Sequence, residues 1–159
     1  MPLALALLIL AVAAKAQSGE ALLTDASVRA FVIRQEAAWN AKDARAFFAT
    51  FTADAKFVAQ ARDSHGGLTS NGSSTVSQAT AQAQRFFAAS RFHETGVIDR
   101  VIIPPDGHVA QVFGHVSTEI EKAGRPPQKL CAETRQTLVL AKRRILSQGQ
   151  TETDVRCSR

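Results

Sequence analysis

The polar and apolar positions along this chain change period once, near Ser90. Before that point apolar residues recur at three- and four-residue steps. Val28, Phe31, Val32, Gln35 and Trp39 fall on one stripe, with Arg29 and Arg34 on other faces. That pattern predicts an amphipathic helix from about Asp25 to Ala41, its first free N–H groups capped by Thr24 or Asp25. Asn40-Ala41-Lys42-Asp43 breaks the stripe, and Asp43 caps a shorter second helix, "ARAFFATF", with Phe47, Phe48 and Phe51 within about a turn of one another. "AKFVAQA" (55–61) predicts a first strand. The stretch 62–74, rich in Gly, Ser and Asn, predicts a loop, either a connector or a lid over a pocket. Thr75-Val76-Ser77-Gln78 has the form of a capping box and opens a third helix through about Ala89.

After Ser90 the period is two. "RFHETGVIDRVII", "HVAQVFGHVSTEI", "KLCAETRQTLVLA" and "ILSQGQTETDVRC" read as four successive strands. Pro104-Pro105-Asp106-Gly107, Gly124-Arg125-Pro126-Pro127 and the basic Lys142-Arg143-Arg144 supply the turns, since proline fixes φ and glycine accepts positive φ. An antiparallel meander is the simplest pairing. Helices first and sheet second predict an α+β domain, three N-terminal helices covering one face of a curved antiparallel sheet.

Turn symmetry then assigns faces. A turn centred on Pro105-Asp106 puts Val97, Asp99, Val101 and Ile103 on one face with Ala110, Val112, Gly114 and Val116. A carboxylate among valines has its pKa raised by desolvation, which makes Asp99 a candidate acid or base. His93 has the same parity and joins Asp99 unless a bulge intervenes, for which Glu94-Thr95-Gly96 offers a place. The plainer alternatives are a surface Asp99 beside Arg100 and an exposed strand histidine. Arg135 is a lone charge among Thr, Leu and Val; it either binds a ligand carboxylate or pairs outside with Glu133 or Asp154. With Arg144 at the middle of the last turn, Cys131 and Cys157 face each other. They form a disulfide that pins the last strand, or remain two thiols.

The disulfide depends on compartment, which the other end of the chain addresses. "LALALLILAVAA" (Leu3 to Ala14) is too short an apolar run for a good bilayer span, which needs roughly 20 residues. It precedes Ala14-Lys15-Ala16, a small-x-small pattern that predicts a secretory signal peptide cleaved after Ala16, although no Lys or Arg precedes the run. Residues 17–159 then form one exported domain, periplasmic or secreted, with no membrane attachment after cleavage. The alternative is a retained helix buried in the domain. Of the 159 residues, 19 are Lys or Arg and 14 are Asp or Glu, giving a net charge of +5. The excess lies after Lys122. It includes "KRR" at 142–144, which reads as a solvated turn and not as a nucleic-acid footprint. The 4 histidines have no metal-ligand spacing with Cys or acidic partners, and neither a phosphate loop nor a G-x-S-x-G elbow occurs. Metal and other cofactors are not expected.

The order helix, helix, strand, helix, four long strands resembles the nuclear transport factor 2-like superfamily of cone-shaped α+β domains. Within it, "EAAWNAKDARAFFATFTADAKFV" is similar to the first-helix signature of SnoaL-like proteins. "RQTLVL" (135–140), with Ile145-Leu146-Ser147 after it, is similar to their closing hairpin. The likeness spans roughly residues 25–153. It departs at Lys142-Arg143-Arg144, where that group commonly carries a Gly-rich turn and a tryptophan. The resemblance implies a cone that holds a small, mostly apolar ligand, lined by Trp39, Phe47, Phe51, Phe57 and Val112, with Arg135 as a polar contact. It also implies a homodimer through the outer face of the sheet. Enzymatic members place an Asp, His or Tyr inside the cone, so a cofactor-free isomerase, dehydratase or hydrolase using Asp99 or His93 is the alternative. A structural or interaction domain with a filled core is a third. The tyrosine-plus-aspartic-acid oxyanion site of ketosteroid isomerase is disfavoured, because the chain has 0 tyrosines.

Overall fold

The computed structural model describes residues 22–158. The predicted signal segment lies outside the described residues. Helix α1 (Asp25–Asn40) opens with a reciprocal cap: Thr24 Oγ1 accepts from the Ser27 N–H at 3.1 Å, and Ser27 Oγ accepts from the Thr24 N–H at 3.0 Å. Its predicted stripe is the buried one, with Val28, Phe31 and Gln35 inside. Helix α2 (Ala44–Phe48) is capped by Asp43, as expected, but ends three residues early. Phe51 instead starts strand β1 (Phe51–Arg62) and is buried there. Helix α3 (Val76–Ala89) begins at the predicted capping box of Thr75 and Gln78.

Strands β3 (Arg91–Ile102), β4 (Val109–Glu121), β5 (Gln128–Ala141) and β6 (Arg144–Val155) form the expected antiparallel meander. The expected loop 62–74 is different. Leu68–Thr75 is a strand, β2, paired antiparallel with β1 through a tight turn in which Asp63 Oδ1 accepts from the N–H groups of His65 and Gly67, both at 2.8 Å. "LTSNGSST" is an almost wholly exposed edge strand, so it has no buried face to imprint an apolar alternation on the sequence. The sheet order is β2-β1-β6-β5-β4-β3. It is not purely antiparallel, because β1 and β6 run parallel. Gly149 permits that pairing: a Cβ there would overlap the Lys56 carbonyl.

Two register corrections follow from turns and bulges. The last hairpin turns on Lys142 and Arg143, with φ of 49° and 63°, so Arg144 is not the middle of the turn but pairs with Ala141 as the first residue of β6. This is the two-residue primed turn whose twist suits paired strands. A further irregularity lies between Gln136 and Leu138, and Cys131 faces Val155. Cys157, two residues on, nevertheless reaches it at disulfide distance, with the Cα atoms 5.2 Å apart. In the β3–β4 hairpin the chain has a bulge at Asp99, between the Ile98–Gly114 and Arg100–Phe113 pairs.

The helices cover one face of the sheet, α1 against β3 and α3 against β1 and β2. Two apolar clusters fill the space between. One joins Val28 and Phe31 of α1 to Ala110, Val112 and Leu138 of the sheet. The other joins Ala44, Phe48, Phe51 and Ala55 to Ala79 and Ala83 of α3. They do not meet completely. A cavity of about 720 Å³ lies between helices and sheet, walled by residues of both clusters. A filled core, the third expectation, is not what the chain builds.

Candidate functional site

Aromatic side chains from helices and sheet form one wall of the cavity. Trp39 contacts Phe47, Phe87 and Phe92 with centroid separations of 5.0, 4.8 and 5.8 Å. Phe47 and Phe57 continue the wall, and Phe51 backs them at 5.2 and 4.7 Å. Of the residues expected to line a pocket, Trp39, Phe47, Phe57 and Val112 border the cavity. Phe51 is in the core behind it, and Arg135 is exposed, on the strand face opposite its cavity-lining neighbours Thr134 and Gln136.

The bulge decides which polar groups enter. Beyond it, towards the turn, Val101 lies on the inner side as expected, although it pairs with Val112 and not with Ala110. Before it, parity is reversed: Ile98, Gly96 and Glu94 face inward, opposite Gly114, Val116 and Thr118. His93 therefore points outward and is exposed. Asp99, the extra residue, also turns outward, where its Oδ2 accepts from His115 Nδ1 at 3.0 Å. That pair is about half exposed on both sides. Asp99 does not stand unpaired among valines. A one-residue slip exchanges the two faces of a strand, so the carboxylate inside is Glu94, next to His93.

Glu94 is held from several directions. The Asn40 side chain clasps its backbone: Oδ1 accepts from the Glu94 N–H and Nδ2 donates to the Glu94 carbonyl, both at 2.8 Å. Thr118 Oγ1 donates to Glu94 Oε2 at 3.0 Å. Burial pushes the Glu94 carboxyl up to about 7, with the Glu152 and then Glu36 charges adding to the rise. The Thr118 hydroxyl and the Trp39 indole favour the anion and offset part of it. A carboxyl so placed is poised to give or take a proton near neutral pH.

Glu152 on β6 enters the same void, bordered by Gln150 and Thr134. Its side chain is exposed to solvent in the open cavity, so its desolvation is incomplete. Its carboxyl is raised, first by that desolvation and then by the Asp154 charge. Gln136 Nε2 donates to Gln150 Oε1 at 3.0 Å, and Gln150 Nε2 donates to Glu152 Oε1 at 2.7 Å. On α1, Glu36 Oε1 accepts from the Gly96 N–H at 3.0 Å. The sequence carried one signal for these groups: Glu94, Glu152 and Gln150 share a strand parity that only the bulge and the register make inward.

No family model matches the chain, and no curated protein matches it in sequence. Solved structures do. A ketosteroid isomerase-like protein from Erwinia carotovora atroseptica superposes with a TM-score of 0.63 at 15% identity, over 83% of this chain and 96% of that one. A putative scytalone dehydratase from Novosphingobium aromaticivorans gives 0.66 at 12% identity, over 81% and 82%. An NTF-2 like protein of unknown function from Shewanella oneidensis gives 0.59 at 12% identity, over 80% and 96%. The chain has the nuclear transport factor 2-like α+β fold, as the order of its elements led us to expect.

Proposed function

We propose that this protein binds a small molecule with a largely apolar body in the cavity between its helices and its sheet. The observation that carries the reading is the void itself, about 720 Å³ and walled by Trp39, Phe47 and Phe57. That volume lies within the roughly 300–1,000 Å³ typical of small-molecule sites. Its similarity in fold to a ketosteroid isomerase-like protein and a putative scytalone dehydratase agrees with a SnoaL-like binding domain. The test is native mass spectrometry of protein purified from its own host. The wild type should retain a small-molecule adduct, and Ala59→Trp, which puts a large side chain on the wall of the void, should retain less of it. Identical adduct-free spectra from both proteins would sink the reading.

A second reading, proton transfer on the bound molecule by a cofactor-free isomerase or dehydratase, is favoured by one observation. Glu94 places a carboxyl pushed up to about 7 inside the void. Asp99, His93 and Arg135, exposed on the outer face, are not needed for it. In deuterium oxide, a ligand with an acidic C–H should exchange that proton in the wild type and not in Glu94→Gln. Equal exchange in both removes Glu94 as the base.

Two further parts of the reading concern the chain's surroundings. We take the protein to be exported after cleavage behind Ala16, supported by the Leu3–Ala14 run and by the proximity of Cys131 and Cys157. Amino-terminal sequencing of the protein from its host tests this. We also take it to pair as a homodimer through the outer sheet face, where Val97 and Ile102 are 48% and 42% exposed. A monomer by light scattering at micromolar concentration would exclude the pairing.

A further inference from the structure

The polar groups of the cavity are not a neutral mixture. Three carboxylates border it, Glu36, Glu94 and Glu152. The glutamines beside them have their direction fixed by acceptor-only partners. Glu152 as an anion can only accept, so Gln150 must turn its amide N–H₂ to it and present its oxygen to Gln136. Gln136 must then donate in turn, which leaves Gln136 Oε1 buried without a partner. A second chain has the same outcome. Thr50 Oγ1 gives its proton to the Phe47 carbonyl at 2.6 Å, so it accepts from Gln35 Nε2 at 2.7 Å. Gln35 borders the cavity, is 2% exposed, and its Oε1 has no partner.

Among the residues that line the cavity the basic side chains are Arg29 and His115. Arg29 at the margin donates through Nε to Asp25 at 2.7 Å, and His115 donates outward to Asp99. Buried acceptors without partners are costly, and two of them belong to residues that border the cavity with the three carboxyl groups. A carboxylate ligand would meet three carboxyl groups of its own kind. An ammonium group brings N–H donors and positive charge to them.

We infer that the ligand is a cationic amine, a primary or secondary ammonium on a compact aromatic or alicyclic body. The ring system packs against Trp39, Phe47 and Phe57, and the ammonium lies between Glu94 and Glu152, on the part of the wall to which Gln35 and Gln136 belong, whose free oxygens a small turn of either amide would bring to it. This inference rests on the binding reading above.

Three probes with one carbon skeleton test it by isothermal titration calorimetry at pH 8: 2-aminoindane, 2-indanol and indane-2-carboxylate. The amine should bind at least tenfold more tightly than the alcohol, with the acid weakest. In Glu152→Gln and in Glu94→Gln the lead of the amine over the alcohol should shrink threefold or more, with an unchanged circular dichroism spectrum showing that each variant is folded. An alcohol or acid that binds as tightly as the amine overturns the inference and leaves the cavity a binding site. An amine lead unchanged in both variants does the same. Binding by none of the three sinks the binding reading, and the inference with it.

Discussion

Thr118 Oγ1 lies 3.0 Å from Glu94 Oε2, a cross-strand hydrogen bond between facing residues of β3 and β4 that anchors the cavity-lining Glu94. It is one of the few forces that favour the Glu94 anion, against burial and two neighbouring carboxylates. Stability should therefore depend on pH through Glu94. The folded-state value is raised from 4.5 to about 7, so the folded protein holds this proton more tightly than the unfolded chain. The resulting stabilisation is complete below about 4.5 and is lost as pH rises through 7. The loss amounts to roughly 3 kcal/mol by linkage. Glu94→Gln keeps an acceptor for Thr118 and removes the charge. Its melting temperature should exceed the wild type's at pH 8, with the advantage vanishing near pH 4. A parallel pH dependence in both proteins would show that Glu94 is not buried as described.

Thr118→Val removes the bond and nothing of similar size. The carboxyl of Glu94 should titrate still higher, readable by carbon-13 NMR of labelled glutamate. A downward shift would contradict the arrangement.

Asn40 closes α1 onto β3 by two hydrogen bonds to one residue, Glu94. Asn40→Ala leaves both backbone groups without that partner, at a cost of about 2 kcal/mol. In a domain of this size that corresponds to a fall in melting temperature of roughly 4–8 °C. Hydrogen exchange at Glu94 should accelerate with it; unchanged exchange would place the clasp outside the folded ensemble.

The hairpin at Lys142 and Arg143 holds two non-glycine residues at positive φ. Such residues carry roughly 1 kcal/mol of strain each, which Asn and Gly largely avoid. Lys142→Asn with Arg143→Gly should raise stability by about 1 kcal/mol in chemical denaturation at unchanged slope. A loss of stability would mean that the lysine and arginine side chains contribute more than the backbone costs.

Cys131 and Cys157 are 26 residues apart in sequence and lie at disulfide distance where the end of the chain meets β5. Replacing both by Ser should cost about 2–4 kcal/mol. The loss should be accompanied by faster hydrogen exchange at Thr153–Val155, while Leu138, fully buried in the core, stays protected. Uniform loss of protection would contradict a local pin.

The sequence by itself determined the elements. Thr24, Asp43 and Thr75 mark helix starts by caps that act within four residues, and the period-two runs after Ser90 mark four strands because burial on one face imposes alternation. Polar β2 escaped because an exposed edge imposes none. Only the tertiary structure decided which carboxylate entered the cavity. Whether Glu94 or His93 faces inward depends on one extra residue at Asp99 and on strand pairing across the sheet, and a bulge leaves no periodic trace. Local sequence sets propensity over a few residues; register is a long-range competition between whole faces, settled only when the strands pack.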